Sequence, residues 1–511
     1  MMEVIFMRKT VQRILAVTLA VTMLTGFGAC GGGKEESPEL TKLTIMVDNT
    51  VQFADKLHAG SEFEAELEKL MGIDIEFIKP DHSGYYDTVS QTFAGSPDNW
   101  PDIVLLGSTY YASYAASGVL TDLTEIWENS EVKASGVITN EKAVTDCLVD
   151  GKLYGLAPAR GNGCVTYVKQ SWLDKAGITK VPTNYAEYTA MLDAFAEISP
   201  DGYALTSAGL INEEAPYVNY LPEFFQDAYP DFYRNEDGVW VDGFTQDSMK
   251  AAMERLIEAY SKGWIDKEFV TNNTANARNK FYADKCGVFT YWAGTWATNL
   301  EERLANSGLD SELVALEPIE EVGQYIERFP TVWAITSACK NPEMAFDLFF
   351  GTMFDGGEGQ VVWTFGVEDV HWSKQAEKVI LSTKPVTILD FPEGEFHFKA
   401  DLETGDAQYM KSHIDPILSY ATFKEGADVS GGAVDERAAE VAQMFFNNCK
   451  DAPTIAANST IAVYQSEIMR LRIELVSQVA AGTISIEDAY ARYEKEQGAN
   501  VKTVLDSLNG K

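Results

Sequence analysis

Hydrophobic and polar positions along this chain follow two alternating periods, one near 2 and one near 3.6 residues. The run Leu43-Thr44-Ile45-Met46-Val47 predicts a first strand that ends at Asp48-Asn49. Ser61-Glu62-Phe63-Glu64 has the form of a capping box, and Phe63, Leu67 and Leu70 then recur at helical spacing until Gly72 stops the helix. Ile73, Ile75 and Phe77 alternate as a second strand. After a further helix, Asp102-Ile103-Val104-Leu105-Leu106-Gly107 reads as a third strand, with Ser108-Thr109-Tyr110-Tyr111 leaving its end. This β-α-β-α-β order predicts a mostly parallel sheet covered by helices on both faces.

The pattern changes at Lys152-Leu153-Tyr154-Gly155-Leu156-Ala157-Pro158. A strand-like Cys164-Val165-Thr166-Tyr167-Val168 follows, then an amphipathic helix through Tyr188, Leu192 and Phe195. Asp231 to Asp242 predicts a hairpin turning at Asp237-Gly238. Met249, Met253, Leu256, Ile257 and Tyr260 mark a helix stopped at Gly263. This block reads as a second lobe, and within it lies Gly287-Val288-Phe289-Thr290-Tyr291-Trp292-Ala293-Gly294-Thr295-Trp296. Its first half is a short apolar strand; Gly294 breaks it, and Thr295 can cap a helix through Asn299, Leu300 and Leu304. Open α/β sheets bind ligands beyond the carboxyl ends of their strands. Trp296, just after the turn, is therefore a candidate ligand plate, against the alternative that it packs in the core; Trp292 is expected in the core. Thr331-Val332-Trp333-Ala334-Ile335-Thr336 is a later strand, and a helix with Ile461, Tyr464, Ile468, Leu471 and Leu475 precedes a last one.

With 511 residues and 46% hydrophobic content, the chain can fill more than one core, which suits two lobes. A formal net charge of −37 repels a phosphate backbone and excludes nucleic acid as a partner. Apart from Cys30, the cysteines (Cys147, Cys164, Cys286, Cys339 and Cys449) are scattered without a CxxC pair. That pattern reads as buried free thiols rather than a disulfide, zinc or redox framework.

The N-terminus reads as an address. Arg8, Lys9 and Arg13 precede an uncharged run, Ile14 to Phe27, shorter than the about 20 residues of a membrane-spanning helix. Phe27-Gly28-Ala29-Cys30 resembles a bacterial lipoprotein processing site. Residues 1–29 are then a signal peptide, Cys30 the lipidated first residue, and 30–41 a flexible tether rich in glycine. A secreted protein cleaved near Ala29 would share most of these features.

The order of segments resembles the extracellular solute-binding proteins of ABC importers, the family that includes maltose-binding protein, and more narrowly its long Gram-positive lipoprotein members. The anchors are Pro101-Asp102-Ile103-Val104, Gly151-Lys152-Leu153-Tyr154-Gly155-Leu156, Trp172-Leu173-Asp174-Lys175-Ala176-Gly177, Gly294-Thr295-Trp296 and Trp333-Ala334-Ile335-Thr336 before Asn341-Pro342. The resemblance implies an α/β, two-lobed periplasmic-binding-protein-like fold, each lobe a mostly parallel sheet flanked by helices, with a hinge and extra C-terminal helices. Lobe 1 would comprise 42–155 and 330–400, and lobe 2 would comprise 156–329 and 401–511. The chain would cross between them near Tyr154–Tyr167 and Phe329–Ile335.

Carried over residue by residue, the resemblance puts Trp296 on the sugar-stacking turn, Ser108, Thr109 and Tyr110 on a contact loop, and Tyr217 on a further contact segment. Trp372, in Glu368-Asp369-Val370-His371-Trp372, matches a cleft-side motif of the longer members. A sugar offers an apolar ring face edged by hydroxyls, so its site needs aromatic plates beside short polar groups. Trp296, Tyr110, Tyr217 and Trp363 with Asn49, Ser108, Thr109 and Arg160 supply both. Arg160 is the one cation in these segments, which favours a neutral oligosaccharide over an acidic sugar; a peptide or a modified small molecule, as other family members carry, is the alternative ligand. The implied partners are the permease subunits and the membrane under a lipid anchor, with the protein a monomer. No cofactor is implied, and Ser199-Pro200-Asp201-Gly202 is too short and too poor in carboxylates for a calcium loop. A secreted glycoside-processing enzyme is the alternative of a different class. Against it, no HExxH, GxSxG or P-loop pattern is present, and a catalytic pair cannot be chosen among 77 acidic residues.

Overall fold

The computed structural model describes residues 40–49, 60–208, 220–381, 387–398, 414–415, 417–427, 435–451, 456 and 458–510. The expected signal peptide, Cys30 and its tether lie outside them, as does Tyr217.

The chain first lays down β1 (Lys42–Met46), α1 (Gly60–Met71), β2 (Asp74–Ile78), α2 (Tyr85–Ala94), β3 (Ile103–Leu106), α3 (Ser108–Ala116) and β4 (Gly155–Leu156). It continues with β5 (Cys164–Lys169), α4 (Tyr185–Ile198), β6 (Leu205–Thr206), α5 (Asp247–Ser261), α6 (Thr274–Tyr282), β7 (Val288–Trp292), α7 (Thr295–Asn306) and β8 (Leu313–Ala315). Then come β9 (Val332–Ile335), α8 (Pro342–Met353), α9 (Glu358–Phe365), α10 (Glu436–Asn447), α11 (Ser459–Ala480) and α12 (Ile486–Leu508). The helices follow the apolar spacing: Phe63 and Leu67 of α1 are buried, and Met249, Ala252, Met253, Leu256 and Ala259 form the inner stripe of α5. α1 begins at Gly60, so the predicted cap Ser61 lies inside its first turn. Likewise Gly294, not Thr295, occupies the N-cap of α7.

Two sheets organise two bodies. The first has the order β2-β1-β3-β9-β4, the second β8-β5-β7-β6. Both are mixed, where mostly parallel sheets were expected. β1 pairs in parallel with β2 and β3, but β9 runs antiparallel to β3 and β4. In the second sheet β5 is antiparallel to both β7 and β8, and only β7–β6 is parallel. The cause lies in the crossings between lobes. β9 opens at Val332 opposite Leu106, the last residue of β3, and β5 opens at Cys164 opposite Trp292, the last residue of β7. A strand entering from the hinge starts where its neighbours end, so it runs against them.

One core gathers Leu43, Ile45, Val104, Trp333, Phe349 and Trp363; the others lie on the second sheet and beneath the C-terminal helices. Ile414, Tyr420 and Ala421 pack into the first core, so this part of the segment 401–511 returns to lobe 1 rather than lobe 2. Val441 and Phe445 of α10, and Ile468 to Val504 of α11 and α12, join the second lobe's cores. Arg472 of α11, 1% exposed, fixes that docking. It donates to Asp231 (2.9 Å), to Asp242 (2.8 Å) and to the Tyr493 hydroxyl (2.9 Å), with its guanidinium over Phe232. The hairpin it grips pairs Phe232–Arg234 with Trp240–Asp242. Cys147, Cys164, Cys286 and Cys339 are buried free thiols, and Cys449 is partly exposed.

Candidate functional site

Asn49, Tyr110 and Trp296 among the candidate residues follow the ends of strands. In lobe 1, Asp48 and Asn49 follow β1. Asn49 Nδ2 donates to Asp81 (3.0 Å), and Asn49 Oδ1 accepts from the His82 amide (3.2 Å). Asp48 holds the His82 ring at 2.5 Å. Beyond β3, the Gly107 amide donates to the Tyr86 hydroxyl (2.8 Å), and Tyr86 stacks on Tyr110 with ring centroids 4.2 Å apart and planes 10° from parallel. Tyr110 is thus a part-buried plate backed by a second tyrosine. Ser108 and Thr109 start α3 beside it; their side chains lie outside the description.

In lobe 2, the candidate residue Trp296 follows the turn between β7 and α7. Gly294 has φ 76° and ψ −132°, a backbone region open to glycine and costly for any other residue. That conformation brings Ala293 close enough to donate to the Gly163 carbonyl (2.9 Å) and to accept from Asn162 Nδ2 (3.2 Å). Trp296 emerges from the turn part-exposed, edge-on to Tyr291 at 4.6 Å, with the Arg278 guanidinium 5.1 Å from its ring centre. Arg278 also donates to the Tyr291 hydroxyl. Trp292, expected in the core, is part-exposed as well, and Arg328 lies over its ring at 4.6 Å. The Asp415 carboxylate comes from the returning lobe-1 segment to within 3.7 Å of where a Cβ on Gly294 would stand.

Between these ends run the crossings. The Arg328 amide donates to the Asn162 carbonyl (2.8 Å), and a Cβ on Gly161 would fall 1.8 Å from the Arg328 carbonyl oxygen, so the two segments meet backbone to backbone. Arg160 forks onto Glu327, with Nε donating at 2.9 Å to a carboxylate only 3% exposed, and its guanidinium covers Phe446 at 3.5 Å. The backbone of Arg160 donates to Leu418 and that of Tyr420 to Pro158, which ties in the third segment.

Of the residues singled out in the sequence, Asn49 and Tyr110 fall at the lobe-1 strand ends, and Trp296 at the lobe-2 turn. Arg160 belongs to the hinge, where Glu327 and Phe446 engage its charge. Trp363 is corrected to a core residue: it is 1% exposed in α9, packed against Phe63, Trp333 and Phe349. Trp372 is corrected likewise: it is 4% exposed, stacked on Phe396 at 4.9 Å, with its indole N–H donating to the Gly366 carbonyl (3.0 Å). Ser199 closes its own turn by accepting from the amides of Asp201, Gly202 and Tyr203, and Asp201 pairs with Lys285.

Sequence reasoning missed Arg278, Arg328 and Asp415. For Arg328 a signal existed: a charged pair, Glu327-Arg328, directly before the expected crossing at Phe329. Arg278 and Asp415 reach the site only through tertiary placement.

Two mixed sheets joined by multiple crossings define the two-lobed fold of periplasmic binding proteins. The model for bacterial extracellular solute-binding proteins matches residues 61–353, more than half of the chain, and the chain belongs to that family. Among curated proteins it is similar to the diacetylchitobiose binding protein DasA of Streptomyces coelicolor, 25% identical over 197 residues, covering 36% of this chain and 43% of that one. It is also similar to lipoprotein LipO of Bacillus subtilis, 22% identical over 288 residues, covering 54% and 55%. The match spans about half the length of each of these relatives. Among solved structures, the alginate-binding protein AlgQ2 without calcium aligns with TM-score 0.64 at 16% identity, over 92% of this chain and 97% of that one. The N-glycan transport solute binding protein NgtS of Streptococcus pneumoniae aligns with TM-score 0.62 at 15% identity, over 92% and 100%. The sugar-binding protein MalE of Xanthomonas citri aligns with TM-score 0.57 at 15% identity, over 90% and 98%. At these identities the solved structures establish the fold.

Proposed function

We propose that this solute-binding protein captures a carbohydrate between its lobes and delivers it to an ABC permease, without chemistry of its own. The observation that carries the reading is the pair of part-exposed aromatic plates, Tyr110 on Tyr86 and Trp296 on Tyr291, at strand ends adjoining the crossings. Apolar plates beside Asn49, Asp415 and backbone amides suit a pyranose face edged by hydroxyls. Relatives named for diacetylchitobiose, N-glycan and alginate binding support the same class. Tyr217, Ser108 and Thr109 belong to the proposed contact set through the family resemblance alone.

The test is a panel of oligosaccharides and peptides read by thermal shift, since a ligand that binds only the folded state raises the melting temperature. We expect sugars to shift it and to be recovered unaltered. Shifts from peptides alone would replace the carbohydrate reading, and cleavage of the sugar would replace binding with catalysis. In the cell the protein is proposed to act as a monomer, held to the outer face of the membrane through Cys30. Cys30→Ala should release it from the membrane fraction, and retention at the wild-type level would refute the anchor.

A further inference from the structure

In a chain with 77 acidic and 40 basic residues, a guanidinium finds a carboxylate easily. Arg160, Arg255, Arg437, Arg470, Arg472 and Arg492 all do so. Arg278 and Arg328, like Arg234 over Trp240 in the hairpin, do not: among the described residues neither has a carboxylate partner, and Arg328 makes no side-chain hydrogen bond. Both sit over aromatic rings at one turn, Arg278 with its guanidinium carbon 5.1 Å from the centres of Tyr291 and of Trp296 while one of its N–H groups donates to the Tyr291 hydroxyl, and Arg328 4.6 Å from the centre of Trp292. Stacking fixes the plane of a guanidinium while its N–H groups, which point outward around the rim, remain open to an acceptor. A planar fork held this way is preorganised for a carboxylate or another oxyanion. Arg278 adjoins Trp296 and Arg328 adjoins Trp292, the last residue of β7 before the Gly294 turn, so an extended carbohydrate seated on Trp296 and running along the turn would meet both cations.

We propose that the ligand is an acidic carbohydrate, with Arg278 and Arg328 receiving its anionic groups on either side of the Gly294 turn. The proposal rests on the carbohydrate reading above and adds the charge class of the sugar. The long-range field of a chain with net charge −37 opposes an anion, so local cations must supply its recognition. The neutral expectation drew on Arg160 as the one nominated cation; the structure spends that charge on Glu327 and brings two others to the site.

The experiment is calorimetry on the purified full chain with trisaccharides of matched length, in neutral, uronic-acid and sulfated forms, with inorganic phosphate as a fourth arm. Acidic forms should bind more tightly than their neutral counterparts, and the uronic and sulfated arms distinguish carboxylate from sulfate ester. Arg278→Gln and Arg328→Gln should each narrow that preference by about tenfold to a hundredfold, the range for a hydrogen bond to a charged group. Arg278→Lys, which keeps the charge and loses the fork, should fall between. Melting of each unliganded variant checks that it is folded. Binding of neutral but not acidic sugars, or a preference untouched by either glutamine variant, overturns this inference and leaves the carbohydrate reading standing. Phosphate binding as tightly as the acidic sugars overturns it in favour of a simple anion site. If no sugar binds, the carbohydrate reading fails and takes this inference with it.

Discussion

Trp296 combines two demands that a core tryptophan never meets together: its ring is positioned by neighbours, yet it remains part-exposed at the end of a strand. Its edge contact to Tyr291 and the guanidinium of Arg278 contribute about 0.5–1.5 and about 0.5–1 kcal/mol in general terms. Trp296→Ala should therefore lower the stability of the unliganded protein by about 1–2.5 kcal/mol, short of the roughly 3–5 kcal/mol for a fully buried aromatic. Sugar affinity should fall about tenfold to a hundredfold, taking base stacking on aromatic platforms as the analogue. Melting of the unliganded variant and affinity for the sugar, measured on one preparation, separate these effects. A large loss of melting temperature with near-normal affinity would assign the ring to packing. Burial separates the aromatics nominated from the sequence: Trp296 is part-exposed, Trp363 and Trp372 are buried. Trp296 follows a glycine turn at a strand end, which is a positional signal. Aromatic character nominates Trp363 and a motif resemblance nominates Trp372, and both turn inward, Trp363 onto Phe349 and Trp372 onto Phe396.

Among elements, the C-terminal helix pair illustrates a dependence on a single side chain. α11 and α12 pack on each other, and Arg472 joins them to the hairpin through Asp231, Asp242 and Tyr493. Burial pushes the Asp242 carboxyl up while Arg472 pulls it back down, and the net direction is upward. Arg472→Leu should leave Asp242 buried without its cation and destabilise the fold by roughly 3–5 kcal/mol, as removing one partner of a buried pair does. Denaturant unfolding measures this; a change below about 1 kcal/mol would mean that the clamp is dispensable. Strands and helices were legible because apolar spacing encodes them locally, as for β1, α1, β3, α5 and β7. Strand direction was not, because it depends on where a strand enters the sheet, and β5 and β9 enter from the hinge. Nor was the return of 414–421 to the first core, since a short irregular segment has no period to read. The charges that frame the turn share this limit: Arg278 arrives on α6 and Asp415 on that returning segment, both distant in sequence from Trp296.

At the scale of the whole molecule, the crossings set what can move. The segments around Gly161 and Arg328 touch backbone to backbone, and the Arg160–Glu327 pair sits among them, so they form one bundled hinge rather than separate tethers. Such a bundle can flex while the two cores on either side stay intact, which makes rigid-body closure the motion to expect. A ligand shifts an open population to a closed one only by binding the closed form better. On the proposed reading, Tyr110 on one lobe and Trp296 on the other would provide that difference by contacting one sugar together in the closed form. Small-angle scattering should then show a smaller radius of gyration with saturating sugar than without it. Trp296→Ala supplies the control: if closure comes from two-sided grip, this variant should stay expanded at a sugar concentration that still occupies it through the remaining contacts. An unchanged scattering profile for the wild type with bound sugar would refute closure. Equal compaction in the variant at equal occupancy would show that Trp296 contributes affinity but does not drive the motion.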